Sequence, residues 1–129
     1  PPSEAVWQGW YAYAQNLDGF LRWAYNSWVK DPMHDTRFRT WPAGDTFFVY
    51  PDAKSSIRFE KLREGIQDFE KLHILVEQLK SSDKPDANAQ LQLLKNVLDK
   101  FEIVSLENDG ALNLILEAKE VINKISEVN

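Results

Sequence analysis

The residues best suited to meeting a ligand lie in and just beyond one short stretch, Asp18 to Trp28 (DGFLRWAYNSW). Trp23, Tyr25 and Trp28 offer aromatic planes and Asn26 an amide, in a run opened by Gly19 and short enough to be one strand. A strand of this kind delivers side chains to a site. Beyond it, Val29 to Asp45 carries Asp31, His34, Asp35, Arg37, Arg39, Trp41 and Asp45, interrupted by Pro32 and Pro42. Long irregular segments inside compact domains are uncommon and tend to be functional. The same tryptophans equally suit a packed interior, and alternation along a strand turns some of them away from any single site. Both readings stand at this level.

The elements that must position these residues follow from periodicity and caps. Ser3 can cap a helix running to about Asn16, with Trp7, Trp10, Tyr11 and Ala14 on one face. Phe20 to about Ser27 reads as the strand, with Phe20, Arg22, Ala24, Asn26 and Trp28 on one side and Leu21, Trp23, Tyr25 and Ser27 on the other. Both sides are too apolar for a solvent-facing edge, which predicts burial on both, as in a parallel sheet covered by helices. Thr46 to Tyr50 (TFFVY), closed by Pro51, reads as a small strand. From Ser55 or Ser56 a helix runs to about Lys80, and its apolar stripe predicts burial of Leu62, Ile66, Phe69, Leu72, Val76 and Leu79. Gly65 inside it costs about 1 kcal/mol relative to alanine, which suggests close contact with a neighbour. His73 lies beside the stripe with no partner at metal-ligand spacing and reads as structural.

Ser81 to Asp86 is a break, with Pro85 set to begin a new helix. Leu91, Leu94, Leu98 and Phe101 form its stripe. After Asn108-Asp109-Gly110, the positions Ala111, Ile115, Ala118, Ile122 and Ile125 form another. Together these read as an antiparallel helical appendage whose charges are a solvated face.

Composition narrows the class. All five tryptophans and all four tyrosines precede Pro51, so the first half is the densely packed, site-bearing one. The 129 residues suffice for one domain, and a net charge of −5 argues against nonspecific nucleic-acid binding. No apolar run reaches the ~18 residues of a membrane span. Zero cysteines exclude disulfides and thiolate metal sites. No cofactor is expected. The chain starts Pro1-Pro2 without an initiator methionine, as expected of a piece of a longer protein.

The order helix, strand, long loop with a small strand, then helix is that of the closing unit of a (β/α)8 barrel. The fold class expected is therefore α+β and mostly helical, a barrel-closing unit over 1–80 followed by a helical appendage over 81–129. The runs GFLRWAYNSW, WPAGDTFFVYP and SIRFEKLREGIQDFEKL, in that order, resemble the C-terminal part of the catalytic domain of glycoside hydrolase family 123 and its bacterial relatives. The resemblance covers about Trp7 to Leu75. It implies a parent (β/α)8 enzyme that hydrolyses β-linked N-acetylgalactosamine with the substrate's acetamido group as nucleophile, and it favours a periplasmic or extracellular location. In that mechanism an adjacent Asp-Glu pair orients the acetamide and supplies the general acid.

This chain contains no Asp-Glu dipeptide. Asp68 and Glu70 come nearest, in mid-helix, so no catalytic residue is assigned here. What the resemblance leaves for this chain is a wall of the sugar site, where rings stack on aromatic planes while amides and carboxylates take hydroxyl hydrogen bonds. Trp23, Tyr25, Asn26, Trp28, Trp41 and Asp45 are of the right types. Arg58, Glu60, Arg63 and Asp68 match the family's pattern and read as pins holding the helix to neighbouring loops. The partners expected are carbohydrate and either the rest of a parent chain or a second copy. The alternative is a non-catalytic sugar-binding or helical protein-interaction module.

Overall fold

Helix α1 (Ser3–Ala14) brings its apolar residues together over three turns and buries Val6, Trp7 and Trp10. Ser3 is the first helical residue and Pro2 holds the cap position without a side-chain hydrogen bond, so the predicted cap lies one residue too late. At the other end Asn16 takes a left-handed conformation (φ 54°). There Leu17 N–H donates to Ala12 O at 2.8 Å and Asn16 N–H to Tyr13 O at 3.0 Å, satisfying carbonyls that the helix leaves open. The structure, a computed structural model, describes residues 1–39 and 41–128. Four further α-helices follow among them: α2 (Ile57–Lys80), α3 (Ala87–Leu98), α4 (Ile103–Asp109) and α5 (Ala111–Val128).

Helix α2 matches its expected span closely. Ser56 is its N-cap, accepting from Phe59 N–H at 3.1 Å and donating its own hydroxyl to Phe48 O, which ties the helix start to the segment before it. The buried stripe is Gly65, Asp68, Leu72, Leu75 and Leu79. The sequence predicted a stripe one position round the helix: Leu72 and Leu79 are buried as expected, Leu62, Phe69 and Val76 are half-buried, and Ile66 is exposed. The rotation has a physical cause in the contact with α1. A Cβ on Gly9 would lie 2.1 Å from Gly65 O, and one on Gly65 would lie 2.9 Å from Ala5 O. The two backbones touch where neither residue has a side chain, and that contact turns the Gly65 face inward. Ala5 and Gly9 meet Gly65, Trp10 meets Asp68 and Tyr13 meets Phe69, so the two helices run in the same sense.

The residues after Lys80 complete the same core. Phe101, fully buried just beyond α3, stacks on Trp10 at 5.3 Å and lies 6.4 Å from Trp7. Leu94, Val97, Ala111, Leu114, Ile115, Ala118 and Ile125 join Trp7, Trp10, Leu72, Leu75 and Leu79 in one cluster. Of the stripes expected here, Leu94, Phe101, Ala111, Ile115, Ala118 and Ile125 are buried, while Leu91, Leu98 and Ile122 pack partly buried against them. The Asn108-Asp109-Gly110 turn ends the short α4, with Gly110 at φ 77°.

The β content is where the sequence expectation fails. Among the described residues neither Phe20–Ser27 nor Thr46–Tyr50 is a strand; an isolated antiparallel bridge between Asn26 and Phe47 joins the two segments, and Tyr50 bridges Lys54. Ser27 N–H donates to Thr46 O at 3.0 Å and Phe48 N–H to Tyr25 O at 2.7 Å. The expected burial on both faces is absent as well: Leu21, Trp23, Tyr25 and Asn26 are exposed, Ala24 is buried and Arg22 is half-buried. A strand needs partners along its backbone, and the described chain offers Phe20–Ser27 only three residues of pairing.

Candidate functional site

Of the six residues predicted to wall a site, the structure brings two into direct contact. Trp23 and Trp41 lie 5.1 Å apart between ring centroids, tilted by 36°, and each is about half-exposed at 56% and 49%. Eighteen positions of chain separate them. The Trp41 N–H donates to Phe38 O at 3.0 Å. The pair is an aromatic wedge that stays partly in solvent.

Asp45 lies nearby in sequence but is already engaged. Arg22 donates from Nη2 to Asp45 Oδ1 at 2.5 Å and also to the Asp45 carbonyl, with its guanidinium 5.2 Å from the Phe48 ring. Arg22 is a site residue that sequence reasoning passed over. Alternation placed it on the strand side opposite Trp23, and nothing in the spacing announced a pairing 23 residues away. Its Nε is buried without a partner among the described residues. Arg22 and Asp45 face a cleft of about 360 Å³ between the start of α1 and the Pro42-Ala43-Gly44 turn, with Arg58 on its other side.

The other three candidates point elsewhere. Tyr25 is edge-on to Phe59 of α2 at 6.1 Å. Trp28 donates its indole N–H to Val49 O at 2.7 Å, which anchors the ring while leaving it 42% exposed. Asn26 is exposed beside the bridge to Phe47. The loop charges form local pairs, His34 with Asp31 at 3.0 Å and Arg37 with Asp35 at 2.7 Å. The Arg37 hydrogen bonds hold the Asp35 carboxyl down to about 2. Among the described residues no group of three His, Asp or Glu is placed to hold a metal ion, and no helix is long and apolar enough to cross a membrane.

Of the four charged residues of the third motif, Arg58 and Glu60 reach the segment before α2 as expected, whereas Arg63 pairs with Glu60 within the helix and Asp68 turns to α1 and α5 instead of a loop. Arg58 donates from Nη2 to Phe47 O at 3.0 Å and lies over the Phe47 ring. Glu60 accepts from Arg63 and from Ser55. Asp68, only 3% exposed, accepts from the Trp10 indole at 3.0 Å and pairs with Lys119 of α5 at 3.2 Å. Lys119 also pairs with Glu64, whose carboxyl is held below its usual range by hydrogen bonds from Lys119 and Lys61. Burial alone would lower the Lys119 ammonium, but its bonds to Glu64 and Asp68 and their charge outweigh that and raise it.

The sequence model of the glycoside hydrolase 123 catalytic domain matches residues 1–75. That is more than half of the 129 residues, and the chain belongs to this family. The match spans α1, the Trp23–Trp41 wedge and α2 as far as residue 75, and ends before the helices that follow Lys80. No curated protein matches the chain.

Proposed function

We propose that, as a member of the glycoside hydrolase 123 family, this chain contributes a wall of a sugar site in an enzyme acting on β-linked N-acetylhexosamine, specifically N-acetylgalactosamine. The observation that carries the reading is the Trp23–Trp41 wedge. The two rings, 5.1 Å apart and tilted by 36°, each keep about half of their surface in solvent, and exposed aromatic surface is what the apolar face of a pyranose stacks on. Two hydrophobic rings held in the open cost solvation that a stacked ligand recovers. Asp45, oriented by Arg22, is the carboxylate nearest in sequence to the pair and the hydroxyl partner in this reading.

In this reading residues 1–80 are the closing unit of a (β/α)8 barrel and 81–129 an appendage packed on it. Two helices running in the same sense, joined through the segment that carries the aromatic pair, support that assignment, because successive βα units place their helices so. The chain lacks an Asp-Glu dipeptide, and Asp68 and Glu70 are separated by burial: the first serves the core, the second faces solvent. The chain alone therefore supplies sugar contacts and no acid.

The test is a titration of the 129-residue chain with methyl β-N-acetylgalactosaminide, followed by the indole N–H signals in two-dimensional NMR. The expected result is selective movement of Trp23 and Trp41, lost in Trp41→Ala and retained in Trp28→Ala. Movement of neither ring, or movement indifferent to Trp41→Ala, sinks the reading. No hydrolysis of an aryl β-N-acetylgalactosaminide is expected from the chain alone.

A further inference from the structure

We propose that the sugar site takes an acidic saccharide, whose oxyanion, a sulfate ester or a uronate carboxylate, is received by Arg58 in the cleft between the start of α1 and the Pro42-Ala43-Gly44 turn. The proposal rests on the sugar reading above for what carries the anion. Arg58 is half-buried, and among the described residues no carboxylate pairs with it, although the net charge of −5 means that carboxylates are in excess. Its Nε and Nη2 donate to Phe47 O at 3.3 and 3.0 Å, and its guanidinium lies 5.3 Å from the centre of the Phe47 ring. The head is therefore fixed. Nη1 carries two N–H groups and meets no acceptor among the described residues. A cation drawn partly out of water without an opposite charge is costly, and an oxyanion that supplies the charge relieves that cost.

Gly44 keeps the approach to this nitrogen clear. It lies at φ 76°, and a Cβ there would stand 2.6 Å from Arg58 Nη1 and 2.7 Å from its Cζ. Any other residue would cover the guanidinium on that side. The remaining charges on the cleft leave Arg58 uncompensated. Arg22 lines the same space, but Asp45 balances it at 2.5 Å. Glu4, the other carboxylate on the lining, is 52% exposed and belongs to the first turn of α1, where the helix dipole and solvent screen it.

Placement ties the cleft to the ring pair. Arg22 precedes Trp23 and Pro42 follows Trp41, so both segments that form the wedge also line the cleft, while neither tryptophan does. An anion held there leaves the rings free for the sugar. The cleft is also bounded by the first residues of α1 and by Arg58 in the first turn of α2. In a barrel-closing unit the helices begin at the face where the loops after the strands build the site, and that face is open to substrate.

The test is a titration of the 129-residue chain with methyl β-N-acetylgalactosaminide, its O-sulfate esters, a disaccharide joining it to glucuronic acid, and inorganic sulfate alone. Indole and guanidinium N–H signals in two-dimensional NMR give the readout. At least one acidic sugar should move Arg58 together with Trp23 and Trp41 and bind at least about fivefold more tightly than the neutral sugar, an advantage that shrinks with added salt. Arg58→Gln should bring that affinity down to the neutral sugar's. Arg58→Lys, which keeps the charge without the planar fork, should keep part of the advantage, and it carries the test where Arg58→Gln fails to fold. No advantage for any acidic sugar, with the neutral sugar still moving both rings, overturns this proposal and leaves the stacking reading in place. An advantage indifferent to both substitutions, or inorganic sulfate binding as tightly as the sulfated sugar, overturns it as well. Movement of Arg58 by the acidic sugars, with the neutral sugar moving neither ring, sinks the stacking reading and leaves the anion cleft standing.

Discussion

Replacing Lys119 by methionine removes one charge from α5 and tests whether residues 81–128 are a structural part of the family domain. Lys119 Nζ lies 3.2 Å from Asp68 Oδ2 and 2.5 Å from Glu64 Oε1, with about a third of its side chain exposed. Asp68 is nearly inaccessible; without Lys119 it keeps the Trp10 indole and a distant Lys71 at 3.7 Å. Removing one member of a buried pair costs ~3–5 kcal/mol because the other is left charged in a poor dielectric. Lys119 retains some solvent, so the lower end applies, about 3 kcal/mol, equivalent to a fall in Tm on the order of 10 °C. Asp68→Asn preserves an acceptor for the indole and leaves Lys119 its Glu64 partner, so it should cost less, about 1–2 kcal/mol. The double variant should then cost at least about 1 kcal/mol less than the sum of the two.

Urea denaturation followed by tryptophan fluorescence gives these values, since Trp7 and Trp10 are buried in the core that unfolds. The pH dependence carries the same network. Glu64 is held down by its lysine bonds, so its contribution is present above the ordinary glutamate range and is lost as pH falls through the lowered value. Lys119 is raised on balance, so its contribution is present below the ordinary lysine range and is lost as pH rises through the raised value. Lys119→Met should flatten both limbs. A change below about 0.5 kcal/mol with no coupling to Asp68 would place Lys119 on an ordinary surface and refute the idea that α5 is built into the domain.

Two further substitutions check how α1 and α2 are placed. Gly9→Ala puts a methyl 2.1 Å from Gly65 O, so the gain of about 1 kcal/mol in helix propensity should be outweighed and the midpoint in urea should fall. A rise would mean that the helices are farther apart. Ser56→Ala removes the hydroxyl that caps Phe59 N–H and holds Phe48 O, and should cost ~1 kcal/mol or somewhat more. Faster amide exchange in the first turn of α2 should accompany it, with Ser55→Ala affected less.

What the sequence made legible divides along a physical line. Helix α2 was readable to within a residue because its cap, length and termination are local, and the stripes of α3 and α5 came from a periodicity that twelve or more residues repeat. The inward face of α2 was misread by one position because hydrophobicity is only a proxy for burial. Gly65 and Asp68 face inward through backbone contact and a hydrogen bond from an indole 58 residues away. Gly65 signalled the contact, but no local signal gives a buried carboxylate its partners. The strand failed for the complementary reason: Phe20 to Ser27 has the alternation and the aromatic content of a strand, yet strands are completed by partners, and only Thr46 to Phe48 supplies one here. The same limit governs the site. Residue type singled out Trp23, Trp41 and Asp45, but the facts that give them chemistry are a ring contact across 18 positions and an arginine clamp across 23. Both join residues 22–23 to the loop that ends on Phe47 and Phe48, buried rings that carry the Arg58 and Arg22 guanidinium groups, and in that loop Asp45 N–H donates to Pro42 O. The wedge is therefore a consequence of loop closure around two phenylalanines rather than of a strand end.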